Sequence, residues 1–163
     1  MKDDSDKNRT RKTKKVLAIA SGGGHWVQLL RLRPAFEGCK VIYATTKENY
    51  ACDLEAGAEF YVVPDCNRWE KWKLVKGSLS ILKLIITQKP DIVVSTGAAP
   101  GFLAIRFAKL FGKKTIWLDS IANAEELSLS GQKAKNSCDM WMTQWEHLAK
   151  VDGPIYRGNI LGD

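Results

Sequence analysis

Twelve residues, Lys15 to Trp26, constrain this chain more than any others. Val16 to Ala20 is an apolar run of strand formers, long enough for one buried strand and no more. Ser21, Gly22, Gly23 and Gly24 then form a sharp turn. His25 and Trp26 open an amphipathic stretch with Leu29, Leu30 and Leu32 at helical spacing, which Pro34 is expected to end. Strand, glycine turn and helix, in that order, aim backbone N–H groups at an anion, usually a phosphate. Tight strand-to-helix packing without a ligand is the alternative, and three glycines alone do not decide between them.

The rest of the chain repeats the alternation. Strands are expected at Lys40–Ala44, Glu59–Pro64, Asp91–Ser95 and Lys114–Leu118, with shorter ones at Met140–Thr143 and Ile155–Arg157. Helices are expected at Glu48–Ala56, closed by Gly57, from about Lys73 to Gln88, and at Gly101–Phe111. Strands apolar throughout and separated by helices imply an α/β fold, a Rossmann-like parallel sheet with helices on both faces. Right-handed crossovers bring the turns at Ser21–His25 and Thr96–Pro100 to the carboxyl edge of that sheet, with Asp119 and Ser120 beside them. Ligands bind at such edges. The domain expectation is a basic flexible arm over 1–15 and a single domain over 16–163.

Several chemistries are excluded. The turn lacks the Gly-x-x-x-x-Gly-Lys of a P-loop. It also fails the dinucleotide fingerprint, since Val27 stands where a third small residue belongs and the second strand ends in Thr45-Thr46, without an acid to hold a ribose. The four cysteines, at 39, 52, 66 and 138, form no Cys-x-x-Cys and accompany only two histidines, so neither a zinc site nor a disulfide framework is expected. No Asp-x-Asp is present, and no metal or other cofactor is expected. His25 opens a helix beside mobile glycines, where the positive end of the helix dipole favours a neutral ring able to accept a proton. General base and structural cap remain open for it.

The uneven charge suits either a solvated flexible tail or attraction to anionic lipid heads. Residues 1–15 carry net +4 of the total +7, and no apolar signal core or membrane-spanning run of about 18 residues is visible. The folded part is only mildly basic and has no recognition motif, which argues against nucleic acid. Arg68, Trp69, Lys71, Trp72 and Lys73 alternate cations with tryptophans, and the helix after them is more apolar than one buried stripe requires. That combination suits a bilayer headgroup zone, although a core helix after a surface loop has the same composition. Gln144, Trp145 and Glu146, a large aromatic among polar residues, suit either a subunit interface or ordinary packing.

Five motifs, in order, resemble one family. They are Ser-Gly-Gly-Gly-His-Trp-Val-Gln-Leu-Leu at 21–30, Ser-Thr-Gly-Ala-Ala-Pro at 95–100, Gly-Lys-Lys-Thr-Ile-Trp-Leu-Asp-Ser-Ile-Ala at 112–122, Ser-Leu-Ser-Gly at 128–131 and Thr-Gln-Trp-Glu-His-Leu at 143–148. The family is the membrane-associated, acceptor-side subunit of two-part UDP-GlcNAc transferases of dolichol-linked oligosaccharide synthesis, together with bacterial PssD-type exopolysaccharide and capsule glycosyltransferase subunits. The resemblance implies the N-terminal half of a GT-B glycosyltransferase. Its implied partners are a second subunit carrying the nucleotide-sugar site, a polyprenyl-diphosphate-linked acceptor and a membrane surface, on whose cytoplasmic face the chain would be peripheral. It implies His25 or, less favoured, Asp119 as the base. The acceptor diphosphate would lie on Ser21, Gly22, Gly23, Gly24, Thr96, Gly97 and Ala98. Two departures stand out: a polar basic arm stands where eukaryotic members begin with a membrane-spanning helix, and Asp119 stands where relatives commonly have Glu. A non-catalytic membrane adaptor that recruits the catalytic subunit is the alternative.

Overall fold

The computed structural model describes residues 12–66 and 71–162. Seven strands form one sheet in the order β3-β2-β1-β4-β5-β6-β7, every neighbouring pair parallel. They are β1 (Lys15–Ile19), β2 (Lys40–Thr45), β3 (Glu59–Val62), β4 (Ile92–Ser95), β5 (Lys114–Leu118), β6 (Met140–Thr143) and β7 (Ile155–Tyr156). The helices are α1 (Gly24–Arg31), α2 (Lys71–Gln88), α3 (Ala98–Leu110) and α4 (Leu129–Ala134). The expected fold class is therefore the observed one.

Alternate residues of each strand face opposite ways, so the sheet has two cores. On one face Leu17, Ile19, Ile42, Val93 and Trp117 pack beneath α2, α3 and α4. On the other, Val16, Ala18, Tyr43 and Val94 pack beneath α1 and Phe36. Trp26 is fully buried there and its ring lies 5.6 to 6.1 Å from those of Tyr50, Tyr43 and Phe60. The strand order reverses between β1 and β4. The turns leaving those two strands therefore part to opposite faces and leave a crevice between them.

Several element boundaries differ from expectation. α3 begins at Ala98 rather than Gly101, because Gly97 and Ala98 both have positive φ (139° and 64°) and turn the chain abruptly out of β4. Pro100 then sits in the first turn, where its missing N–H costs nothing. Residues 48–53 coil as a 3-10 segment instead of an α-helix, and so do residues 33–36 after α1, with Pro34 inside them. Within the described residues α2 runs from Lys71, in keeping with the expected start at about Lys73. The short α4, not foreseen, is capped by Ser128, whose hydroxyl accepts from the Gly131 N–H. Arg68, Trp69 and most of the basic arm lie outside the described residues.

Candidate functional site at the carboxyl edge

His25 stands in the first turn of α1, facing the turn after β4. Its Nδ1 lies 2.9 Å from the Thr96 carbonyl oxygen, and the Thr96 hydroxyl donates back to the His25 carbonyl at 2.7 Å. A carbonyl only accepts, so Nδ1 carries the proton. In the neutral ring the lone pair is left on Nε2, which has no partner among the described residues. Gly97 makes the close approach possible: a Cβ there would strike the imidazole. The two glycine-bearing turns that the sequence brings to one edge are thus locked together through this histidine.

Two hollows flank the lock. One, of about 460 Å³, is lined by His25, Ala98, Ser120, Asn123, Glu126 and Ser128, with others. The second, of about 530 Å³, is lined by Ser21, Gly22, Gly23, Thr46, Lys47 and Ala98, with others. Ala98, at the tip of α3, borders both. Cys66 also borders the second, but burial pushes its thiol up to about 11, so it stays protonated and inert near neutrality.

The glycine turn is less open than its sequence implies. The Gly22 N–H donates to the Thr46 hydroxyl at 3.2 Å and the Gly23 N–H to the Tyr50 hydroxyl at 2.8 Å. The amides of Gly24 and His25, at the start of α1, and of Ala98 and Ala99, at the start of α3, have no acceptor among the described residues. Lys47, exposed at the rim of the second hollow, is the nearby cation that sequence reading missed. Nothing in its local pattern marks it; it is found only once β2 is seen to end beside β1.

Asp119 is 1 % exposed and fully engaged. Oδ1 accepts from the Trp117 indole at 3.0 Å and the Ser128 hydroxyl at 2.6 Å; Oδ2 accepts from the Ser128 N–H at 2.8 Å and the Asn123 amide at 3.4 Å. Four donors occupy its lone-pair directions. Gly131 is required beside it, since a Cβ there would meet the carboxylate. The acid therefore shapes the 120–128 rim rather than facing a hollow. Its partner Ser128, within the motif at 128–131, carries that role with it.

Gln144 is 2 % exposed and makes its hydrogen bonds inside the chain. The Trp145 indole donates to the Ile121 carbonyl at 2.9 Å, bracing the same rim, while Glu146 is exposed. Lys71, Trp72 and Lys73 open the described part of α2 and are exposed.

The chain matches no family profile. Over 88 residues it is 34 % identical to the UDP-N-acetylglucosamine transferase subunit ALG14 of Yarrowia lipolytica; the match takes in 49 % of this chain and 40 % of that relative. Among solved structures, Acinetobacter baumannii MurG superposes with a TM-score of 0.71 at 15 % identity, over 88 % of this chain and 45 % of that one. UDP-N-acetylglucosamine 2-epimerase from Rickettsia bellii superposes with a TM-score of 0.68 at 16 % identity, over 91 % of this chain and 46 % of that one. The chain thus spans less than half the length of each of these proteins, and what it shares with the two solved structures is the fold of one Rossmann-like half.

Proposed function

We propose that this chain is the acceptor-side subunit of a UDP-sugar glycosyltransferase whose nucleotide-sugar site belongs to a second subunit. The pairing of His25 with Thr96 carries the reading: it supports a histidine with Nε2 free at the crevice where ligands bind in such sheets. The 34 % match to a UDP-GlcNAc transferase subunit supports the reaction class.

In the transfer, an acceptor hydroxyl attacks the anomeric carbon of the sugar while the nucleoside diphosphate leaves. His25 Nε2 takes the hydroxyl proton, and the Thr96 carbonyl stabilises the imidazolium through Nδ1–H. Asp119 is not the base in this scheme; it holds Ser128 and the rim around the acceptor. The diphosphate of a polyprenyl-linked acceptor lies in the hollow beside Lys47, on the first-turn amides of α1 and α3. Gly22 and Gly23 contribute by shaping the turn more than by donating.

The lipid would be met at a bilayer surface. No helix among the described residues is long and apolar enough to cross a membrane. α2 has two apolar faces, however. Gly77, Ile81, Leu84 and Ile85 are buried against the sheet, whereas Trp72, Val75, Leu79 and Ile86 are exposed on the opposite face. An outward stripe of this kind, headed by Lys71 and Trp72, supports peripheral contact at an interface.

The test is a sugar-transfer assay on the chain co-purified with its second subunit. His25→Ala is expected to lower turnover by about 10²–10⁴ while the subunits still co-purify. Undiminished turnover would remove His25 from the chemistry. Loss of co-purification alone, with turnover per complex unchanged, would favour an adaptor.

A further inference from the structure

His25 shares its helix with Gln28, three residues on and on the same side of α1. Gln28 is 7 % exposed and takes part in a buried hydrogen-bond network that the proposed chemistry does not use. Its Oε1 accepts from the Ile121 N–H at 3.0 Å and from the Gln144 amide at 2.9 Å; its Nε2 donates to the Ser120 hydroxyl at 2.8 Å. Gln144 in turn donates to the Asp119 carbonyl at 2.8 Å and accepts from the Ile160 N–H at 3.2 Å. Neither amide can be turned over. Ile121 and Ile160 offer only N–H, and the Asp119 carbonyl offers only oxygen.

This network joins parts of the chain that meet nowhere else in sequence. α1, the exit of β5, the exit of β6 and the tail after β7 are tied at one point. α1 is only eight residues long, and Trp26 and Leu29 hold it to the sheet by apolar contact, which has no direction. The Trp26 indole bond to Asp53, 2.9 Å, fixes the side of the helix away from the rim. Gln28 supplies directed bonds on the rim side. A helix free to turn or slide there would carry the His25 ring off the Thr96 carbonyl.

We propose that Gln28, held by Gln144, is a positioning residue for His25: the pair fixes α1 against the ends of β5 and β6 and so keeps the ring in its Nδ1–H form. The consequence for catalysis rests on the functional reading above; the consequence for the ring does not. Gln144 thereby gains an internal role in place of a subunit contact.

Long-range ¹H–¹⁵N spectra of the full chain, at a pH where both histidines are neutral, report the tautomers directly. His147 is an internal control of the opposite kind, since its Nε2 lies 2.6 Å from the Ala124 carbonyl. In the wild type, His25 is expected as Nδ1–H and His147 as Nε2–H. Gln28→Leu should bring the Nδ1–H share of His25 below half and leave His147 unchanged. Gln28→Glu retains acceptors for Ile121 and Gln144, lets the Ser120 hydroxyl donate, and should restore the wild-type tautomer. A folded Gln28→Leu protein with His25 still fully Nδ1–H overturns the proposal, as does failure of Gln28→Glu to rescue. Should Gln28→Leu not fold, Gln144→Leu is measured in the same way, with the same expected shift, and an unshifted ring overturns the proposal. In the assembled complex, Gln28→Leu should lower kcat roughly tenfold to a hundredfold with little change in KM for the acceptor. A tautomer shift without that loss upholds the positioning and counts against His25 as the base.

Discussion

The His25 ring owes its orientation to a single carbonyl, and Asp119 owes its burial to four donors. These two residues look alike as candidates in sequence, each polar and each just past an apolar strand. The place of His25 is legible because the glycine turn sets it in the first turn of a helix at the carboxyl edge, whereas base and cap stay equally open for it in the sequence. Asp119 is not legible, because what encloses it comes from Ser128 and Asn123, on a loop with no periodicity of its own. The difference is measurable. Asp119→Ala strands the Trp117 indole and the Ser128 N–H and is expected to cost about 2–4 kcal/mol in urea unfolding. Asp119→Asn keeps one acceptor oxygen and should cost less. If Asp119→Asn instead abolished transfer at full stability, the acid would be the base and His25 would not.

Helix α2 and the β5–β6 pair each carry more than their sequence pattern shows. An excess of apolar residues in α2 is visible in one dimension, yet only packing against the sheet and α3 separates its inner stripe from its outer one. Replacing both Trp72 and Leu79 by Ser should leave unfolding unchanged and reduce sedimentation with anionic vesicles; unchanged sedimentation would confine α2 to a packing role. The β5–β6 pair is clamped by Asp139. Its carboxylate accepts from Lys109 at 2.8 Å and from the Thr115 N–H and hydroxyl at 2.9 and 3.0 Å. The Lys109 ammonium, aided by Thr115 and opposed by partial burial, holds the carboxyl down to about 2, below its ordinary 3.8. A folded-state value below the unfolded one means stability that is full above about pH 4 and lost as pH falls towards 2. Urea midpoints of wild type and Asp139→Asn should therefore differ most at pH 5–6 and converge near pH 2. Equal slopes across that range would show the clamp to be energetically silent. The α4 helix escaped notice for a plainer reason: six residues give no helical period to detect.

Across the whole molecule, the parallel sheet covered on both faces was the most readable property, since apolar runs separated by helices imply it. That the turns after β1 and β4 share its carboxyl edge followed from it, whereas the strand order that sets the crevice between them did not. What the pattern leaves unresolved is which of the edge amides are already spoken for, because Thr46 and Tyr50 reach the glycine turn from a neighbouring connection. The fold supplies one Rossmann-like unit, and its superposition takes in 45 % of the MurG chain and 46 % of the 2-epimerase chain. The proposed division of labour predicts no sugar transfer by this chain alone and transfer on adding the second subunit, in a radiolabelled-donor assay. Transfer by the isolated chain would end the two-subunit reading. Among the described residues, Ala98 is the one that lines both hollows on either side of the α3 tip. A molecule filling both has to pass it, so the spacing between its charged end and its hydroxylated end is gauged there, and a bulkier side chain would lengthen the gauge.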